Sequence, residues 1–229
     1  MIKHAKGRSE LKYAVTKADC HLLRRNLQFV MQPDPHVMKD GKYLIRSVYF
    51  DNLENKALNQ KKEGLKHRDK YRARLYNYKT DFIQLEKKSK QNDITYKEKC
   101  QMTAMEYERV RLGDIKWMEN NSRKLIRELY VQMTLYQIKP TTVVDYEREV
   151  FTYEYGNVRV TFDSEVRTSL RNIDFLNPEL PMVPALDPNI VILEVKYDEF
   201  LPDIIKQLLQ IGDTMRTSSS KYQLSRNYV

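Results

Sequence analysis

The run KYRARLY, residues 70–76, puts Lys70, Arg72 and Arg74 on one side of an extended chain and Tyr71, Ala73 and Leu75 on the other. A period of two is the signature of a β-strand with unlike faces. The run belongs to a segment spanning 68–78, and comparable alternation recurs at 9–15, 43–50, 81–89, 94–101, 141–153, 157–169 and 190–197. Eight strands that each own one apolar face must share sheets that bury that face. No other feature of the chain restricts its folding as strongly.

Between the strands the apolar period lengthens to that of a helix. Residues 16–31 place Leu22, Leu23, Leu27 and Val30 at helical spacing, with Thr16 or Lys17 opening the helix, Asp19 in its first turn and the run QPDPH closing it. A short helix is expected at 52–61, a helical stretch at 103–139 broken near Gly113, and a last helix at 203–212 before the tail TSSSKYQLSRNYV. Asn77 to Thr80, Gln91 to Asp93 and Gly156-Asn157 carry turn chemistry, so 68–101 reads as antiparallel hairpins or a meander. The Pro-rich segment from Asn177 to Pro188 reads as a loop or lid, because a strand follows at once.

The second faces of the strands are ionic. Glu10 and Lys12 share one; so do Arg72 and Arg74, then Gln84, Glu86 and Lys88, then Lys97 and Lys99, then Tyr146 and Arg148, then Arg159, Thr161 and Asp163, and finally Glu194 and Lys196. For a single strand, a solvated face is the ordinary explanation. The whole set suggests more. Long twisted antiparallel sheets tend to close into barrels, and helices covering the apolar face from outside would turn the charges inward. The expected architecture is therefore α+β: a closed antiparallel eight-stranded β-barrel, a tunnel with a polar basic lumen, flanked by helices, in one domain spanning 1–229. Such a lumen is costly unless it is hydrated or filled by a counterion. Forty Lys and Arg against 31 Asp and Glu, a net charge of +9, favour an anionic occupant.

The chain has six glycines and neither GxxxxGK[ST] nor GxGxxG, so side chains rather than a backbone cradle must hold any phosphate. Arg supplies bidentate forks and Lys point charges. Aromatic residues lie mostly opposite the basic faces, which argues against single-stranded nucleic acid as the partner. His4, His21, His36 and His67 fall outside the charged rows and read as surface or packing residues. Cys20 and Cys100 form no CxxC or Cys/His cluster; they point to a reducing compartment and leave a disulfide between them open. The first residues carry no apolar signal region, and no apolar run approaches the roughly 20 residues of a membrane span. The expectation is a cytoplasmic protein, with a separate membrane protein as a partner if any product is to be translocated.

The segments ELKY (10–13), RSVYFDN (46–52), YRARLY (71–76), LEKKSK (85–90), YKEK (96–99), YERE (146–149), VRVTFD (158–163), LEVKY (193–197) and SSKYQLS (219–225), in this order and spacing, resemble the VTC domain. That is the polyphosphate polymerase domain of the vacuolar transporter chaperone complex, within the triphosphate tunnel metalloenzymes and their CYTH relatives. The resemblance implies that Lys12, Arg72, Arg74, Lys88, Lys97, Arg148, Arg159 and Lys221 grip phosphates. Tyr146, Ser220, Lys99 and Lys196 would contact substrate, Tyr146 near the nucleotide. Glu194 would hold Mn²⁺ or Mg²⁺, with Glu10 as a second ligand or as a partner of Lys12. The implied reaction transfers the γ-phosphate of ATP to a growing polyphosphate chain. Two alternatives stand beside it: a triphosphatase acting on inorganic triphosphate or nucleotides, and a binder of polyphosphate or nucleotide without turnover. Triphosphatases of the superfamily begin with ExExK; here Arg8 stands at the first glutamate, which leans toward the polymerase. The SPX domain and membrane helices of the eukaryotic complex have no counterpart in this sequence.

Overall fold

In the computed structural model, which describes residues 8–34, 41–92, 94–210, 215–217 and 220–226, all eight alternating runs are strands. They are β1 (Ser9–Thr16), β3 (Lys42–Asp51), β4 (His67–Tyr76), β5 (Lys79–Gln91), β6 (Ile94–Met102), β7 (Lys139–Tyr153), β8 (Val158–Thr168) and β10 (Ile190–Tyr197). Three two-residue strands too short for any period join them: β2 (Gln32–Pro33), β9 (Val183–Pro184) and β11 (Met215–Arg216). The helices are α1 (Lys17–Gln28), α2 (Lys56–Lys62), α3 (Ala104–Arg111), α4 (Lys124–Tyr136), α5 (Asp203–Leu208) and α6 (Lys221–Ser225). The last of these lies in what reads from sequence as a tail. His4, His36, Asp93 of the second hairpin turn and Ser219 lie outside the described residues.

The closed barrel expected from the strand count does not form. Hydrogen bonding runs β11-β1-β10-β8-β7-β3-β4-β5-β6, with β2 on β7 and β9 on β8, and among the described residues the two end strands do not pair with each other. The sheet is open. Alternation decides which side chains share a face, whereas closure also demands a matching stagger and tilt around the ring, and no side-chain pattern encodes those.

The chain divides into two units. The first comprises Met1–Leu44, Tyr146–Val166 and Pro184–Ser220. Here β1 pairs with β10 along its whole length and β10 with β8. Their apolar face, with Val15, Phe162, Val191, Leu193 and Val195, packs with Cys20, Leu23 and Leu27 of α1 and Ile205 of α5. Thr16 caps α1 as its sequence suggests: its hydroxyl accepts from the Asp19 amide at 3.1 Å while Asp19 Oδ2 accepts from the Thr16 amide at 3.2 Å. Arg8 pairs with Asp198 at 2.8 Å and donates to the carbonyl of Asn157. The residue standing at the missing glutamate thus ties down the start of β1. In the turn before β8, Gly156 has φ +72°, and a Cβ there would come within 2.5 Å of the Phe200 carbonyl oxygen, so only glycine fits.

The second unit comprises Ile45–Asp145, Arg167–Val183 and Lys221–Val229. Strands β3 to β6 form a continuous antiparallel run. Asn77 and Tyr78, at φ +50° and +56°, make the tight β4–β5 turn. Tyr71, Ala73, Leu75, Ile83, Leu85 and Met102 point toward Tyr107, Val110, Ile126 and Leu129 of α3 and α4, so helices cover the apolar face as expected. The Pro-rich segment is anchored: Arg46 donates to the Asn177 carbonyl, and Phe175 and Leu180 join the core.

Candidate functional site

Each unit carries its ionic groups on the face opposite its core, and the two sets differ in charge balance. In the first unit, Lys12 lies opposite Glu194 and Glu194 opposite Thr161; one row along, Glu10 lies opposite Lys196 and Lys196 opposite Arg159. Neighbouring strands thus bring unlike charges together. Lys12 Nζ is 2.6 Å from Glu10 Oε1 and 3.6 Å from Glu194 Oε2, and Lys196 pairs with Glu194 Oε1. Burial opposes the charge on Lys12, but Glu194, Glu10 and Asp163 outweigh it and hold the ammonium protonated far into the alkaline range. Arg148 makes a bidentate pair with Asp163, at 2.6 and 2.7 Å, with its guanidinium 5.3 Å from the Tyr146 ring centre. Asp163 is fully buried. Arg159 reaches Asp34 at 3.2 Å and the Tyr43 hydroxyl at 3.1 Å. Four cations here meet four carboxylates.

The second unit is unbalanced. Arg74 lies opposite Gln84; Arg72 lies opposite Glu86, and Glu86 opposite Lys99; Lys70 lies opposite Lys88, and Lys88 opposite Lys97. With Arg68 opposite Lys90, this face of β4, β5 and β6 holds eight cations around one carboxylate among the described residues. Glu86, 2% exposed, receives Arg72 at 2.6 Å on Oε2 and Lys97 at 2.6 Å on Oε1. Burial alone would raise its pKa, yet Arg72, Arg74 and Lys97 hold it well below the usual carboxylate range. Lys97 moves the other way. Partial burial, with Arg72 and Arg74 beside it, outweighs the help of Glu86 and brings it down to about 8. Arg74 is buried against Ser47, whose hydroxyl accepts from Nε at 3.3 Å. On the opposite, helix-covered face the contrast is plain: Lys87 alone has three carboxylates, Glu128 at 3.0 Å, Asp69 at 3.6 Å and Glu98 at 3.9 Å.

The structure therefore brings together Arg72, Arg74, Lys88, Lys97 and Lys99 on one face, and Glu10, Lys12, Arg148, Arg159, Glu194 and Lys196 on another. Lys221 opens α6, and Ser220 immediately precedes it; both are partly exposed. Tyr146 is 1% exposed and lies beneath Arg148. Among the described residues no group of three or more His, Cys, Asp and Glu is placed to hold a metal ion. Cys20 and Cys100 are free thiols. Sequence reasoning missed Asp34, which pairs with Arg159 from the loop after β2, and Ser47 beneath Arg74; neither sits in a charged alternation. It also missed Thr161 as more than a face-sharing neighbour: the side chain is 2% exposed and its hydroxyl is without a hydrogen-bond partner.

A family model for the VTC domain matches residues 7–229. The chain belongs to the VTC domain family. This places it among polyphosphate- and triphosphate-related proteins. No curated protein matches it. Among solved structures, this VTC-family chain is similar to a proposed adenylate cyclase (bh2851) of Bacillus halodurans, at 13% identity and TM-score 0.47 over 83% of this chain and 81% of that one. It is also similar to the PH1819 protein of Pyrococcus horikoshii OT3, at 12% identity and TM-score 0.46 over 94% and 97% of the two chains. No helix among the described residues of this VTC-family chain is long and apolar enough to cross a membrane.

Proposed function

We propose that this chain transfers the γ-phosphoryl group of ATP to the end of a polyphosphate chain, with a divalent cation, Mn²⁺ or Mg²⁺, taking part. The observation that supports it is the eight-to-one excess of cations over carboxylates on the polar face of β4 to β6. Like charges in register on adjacent strands destabilise a sheet, so a face with this excess of cations favours a polyanion as its ligand.

Phosphoryl transfer asks the protein mainly to position the phosphates and offset their charge. Arg72 and Arg74 present guanidinium forks suited to paired phosphate oxygens, and Lys97 and Lys88 add point charges. Glu86 fixes Arg72 and Lys97 in place and keeps both protonated partners near each other. In the transfer, the bond from the γ-phosphorus to the bridging oxygen breaks, ADP leaves with that oxygen and its electron pair, and a terminal oxygen of the acceptor chain forms the new bond. Hydrolysis would differ only in the acceptor, water in place of a chain end.

The first unit's residues fit a hard cation by type. Glu194 and Glu10 offer carboxylate oxygen, and the unpartnered Thr161 hydroxyl lies opposite Glu194 in the sheet. Both oxygens of Glu194 are paired, with Lys196 and Lys12, so Glu194 and Glu10 would hold a cation in competition with two ammonium groups. Such an ion supplies neutralisation of phosphate charge.

The deciding experiment incubates purified protein with ATP and Mn²⁺ and separates the products on a stained gel. Long chains support the proposal. Orthophosphate without chains makes the protein a hydrolase, and tight polyphosphate binding with neither product makes it a binder.

A further inference from the structure

A cavity of about 310 Å³ lies wholly within the second unit, where α2 and the C-terminal half of α4 meet the start of β4. That volume is at the small end of the range for ligand pockets. Phe50 and Tyr71 form part of its wall, and both belong to the apolar core under the helices. The cavity therefore lies against the helix-covered side of the sheet, whereas Arg72, Arg74 and Lys97 stand on the other side.

Lys56 opens α2, and its ammonium sits 3.4 Å from the centre of the Tyr136 ring; among the described residues it makes no ion pair. A ring face attracts a cation without neutralising it, so Lys56 keeps its charge while it is held at the cavity. Arg68 belongs by register to the basic face, but it is only the second residue of β4. Its guanidinium turns back to the Leu65 carbonyl and lines the cavity, again with no ion pair among the described residues. Lys90 adds a third cation to the lining. Gln60, Gln91 and Gln132 bring three carboxamides, none with a side-chain hydrogen bond among the described residues. The two acids of the lining are already engaged. Asp51 accepts from the amides of Asn52 and Ala57 at 2.9 Å, from that of Leu58 at 3.2 Å, and from the hydroxyl of Tyr222 at 2.7 Å, whose ring packs on Tyr49. Asp69 faces Lys87 at 3.6 Å.

We infer that this cavity is a binding site for a small organic dicarboxylate, held by Lys56 and Arg68, with the carboxamides of Gln60, Gln91 and Gln132 on its remaining oxygens. A guanidinium fork receives one carboxylate through two parallel hydrogen bonds, and the ammonium meets the other as a point charge. Phe50, Ile138 and the Tyr136 ring supply apolar wall for the short hydrocarbon between the two carboxylates. Linked phosphates carry more charge than this lining offsets and need more room than it has. The site is separate from the proposed phosphate site and does not depend on that reading.

The test is titration calorimetry of the full chain with glutarate, orthophosphate and tripolyphosphate, for the wild-type protein, Lys56→Met, Lys56→Arg and Gln132→Leu, with thermal unfolding as a check on folding. Glutarate is expected to bind the wild type with Kd on the order of 1 mM. Lys56→Met removes one charge-assisted contact and is expected to weaken glutarate by about tenfold, with tripolyphosphate bound as by the wild type. Lys56→Arg, which keeps the charge, restores most of the loss, and Gln132→Leu weakens glutarate several-fold. Should Lys56→Met fail to fold, Gln132→Leu carries the same comparison. A wild type without saturable glutarate binding, or glutarate affinity equal in wild type and variants, overturns the site. So does a variant that loses glutarate and tripolyphosphate in step, because the loss is then not local. Orthophosphate bound more tightly than glutarate, and weakened by the same substitutions, overturns the dicarboxylate assignment.

Discussion

Glu86 is the point where the charge imbalance can be turned into numbers. Replacing it by Gln keeps the shape and removes the one negative charge among Arg72, Arg74 and Lys97. Breaking a fully buried ion pair from one side costs about 3–5 kcal/mol. Here Arg72 is 23% exposed and Lys97 47%, so water recovers part of the loss, and roughly 1–3 kcal/mol is expected. For a chain of 229 residues that is a fall in Tm of several degrees, at about 2–4 °C per kcal/mol. The same change strips a repulsive charge from the proposed phosphate site. A unit charge at contact distance near a protein surface contributes on the order of 1 kcal/mol after screening, so tripolyphosphate affinity should rise several-fold. The two effects have opposite signs, which separates them from simple damage. Thermal unfolding at low salt, with and without tripolyphosphate, together with titration calorimetry, reads both. A Glu86→Gln protein that loses stability and also binds tripolyphosphate more weakly would falsify the view that Glu86 is a stand-in counter-charge at a phosphate site.

Three further outcomes are expected. Lys97, lowered to about 8 by partial burial and by Arg72 and Arg74, is protonated below that pH and loses its charge above it; tripolyphosphate affinity should decline as pH rises through about 8, and Lys97→Arg, which stays charged, should abolish the step. Asp163→Asn leaves the buried guanidinium of Arg148 without its bidentate partner and should cost about 3–5 kcal/mol in denaturant unfolding; a loss under about 1 kcal/mol contradicts that pairing. Glu194→Gln should remove Mn²⁺-dependent product formation and Mn²⁺ binding in calorimetry while sparing polyphosphate binding in the presence of chelator, and unchanged Mn²⁺ binding would take the metal away from this carboxylate.

The β4–β6 meander was legible because its alternation is strict and its turns carry turn chemistry. Asn77 sits at positive φ, a conformation asparagine tolerates more readily than most residues. The cap of α1 was legible in Thr16 and Asp19 for the same local reason. Asp34 was not, since a loop residue's partner in the fold has no periodic trace. Nor was α6, a single turn whose existence depends on Tyr222 finding Tyr49 and Asp51 far away in sequence.

The sequence by itself determined which side chains share a strand face, because the pleat alternates regardless of what the strand pairs with. It thereby determined that Lys70, Arg72 and Arg74 would stand apart from the core. Only the tertiary structure decided where unlike charges fall in register and where like charges do. Register sets Lys12 against Glu194 in one place and Lys70 against Lys88 in another, and register follows from turns and long-range packing. Closure was decided there too: among the described residues the end strands do not pair with each other, because joining them requires a global stagger that alternating residues do not specify.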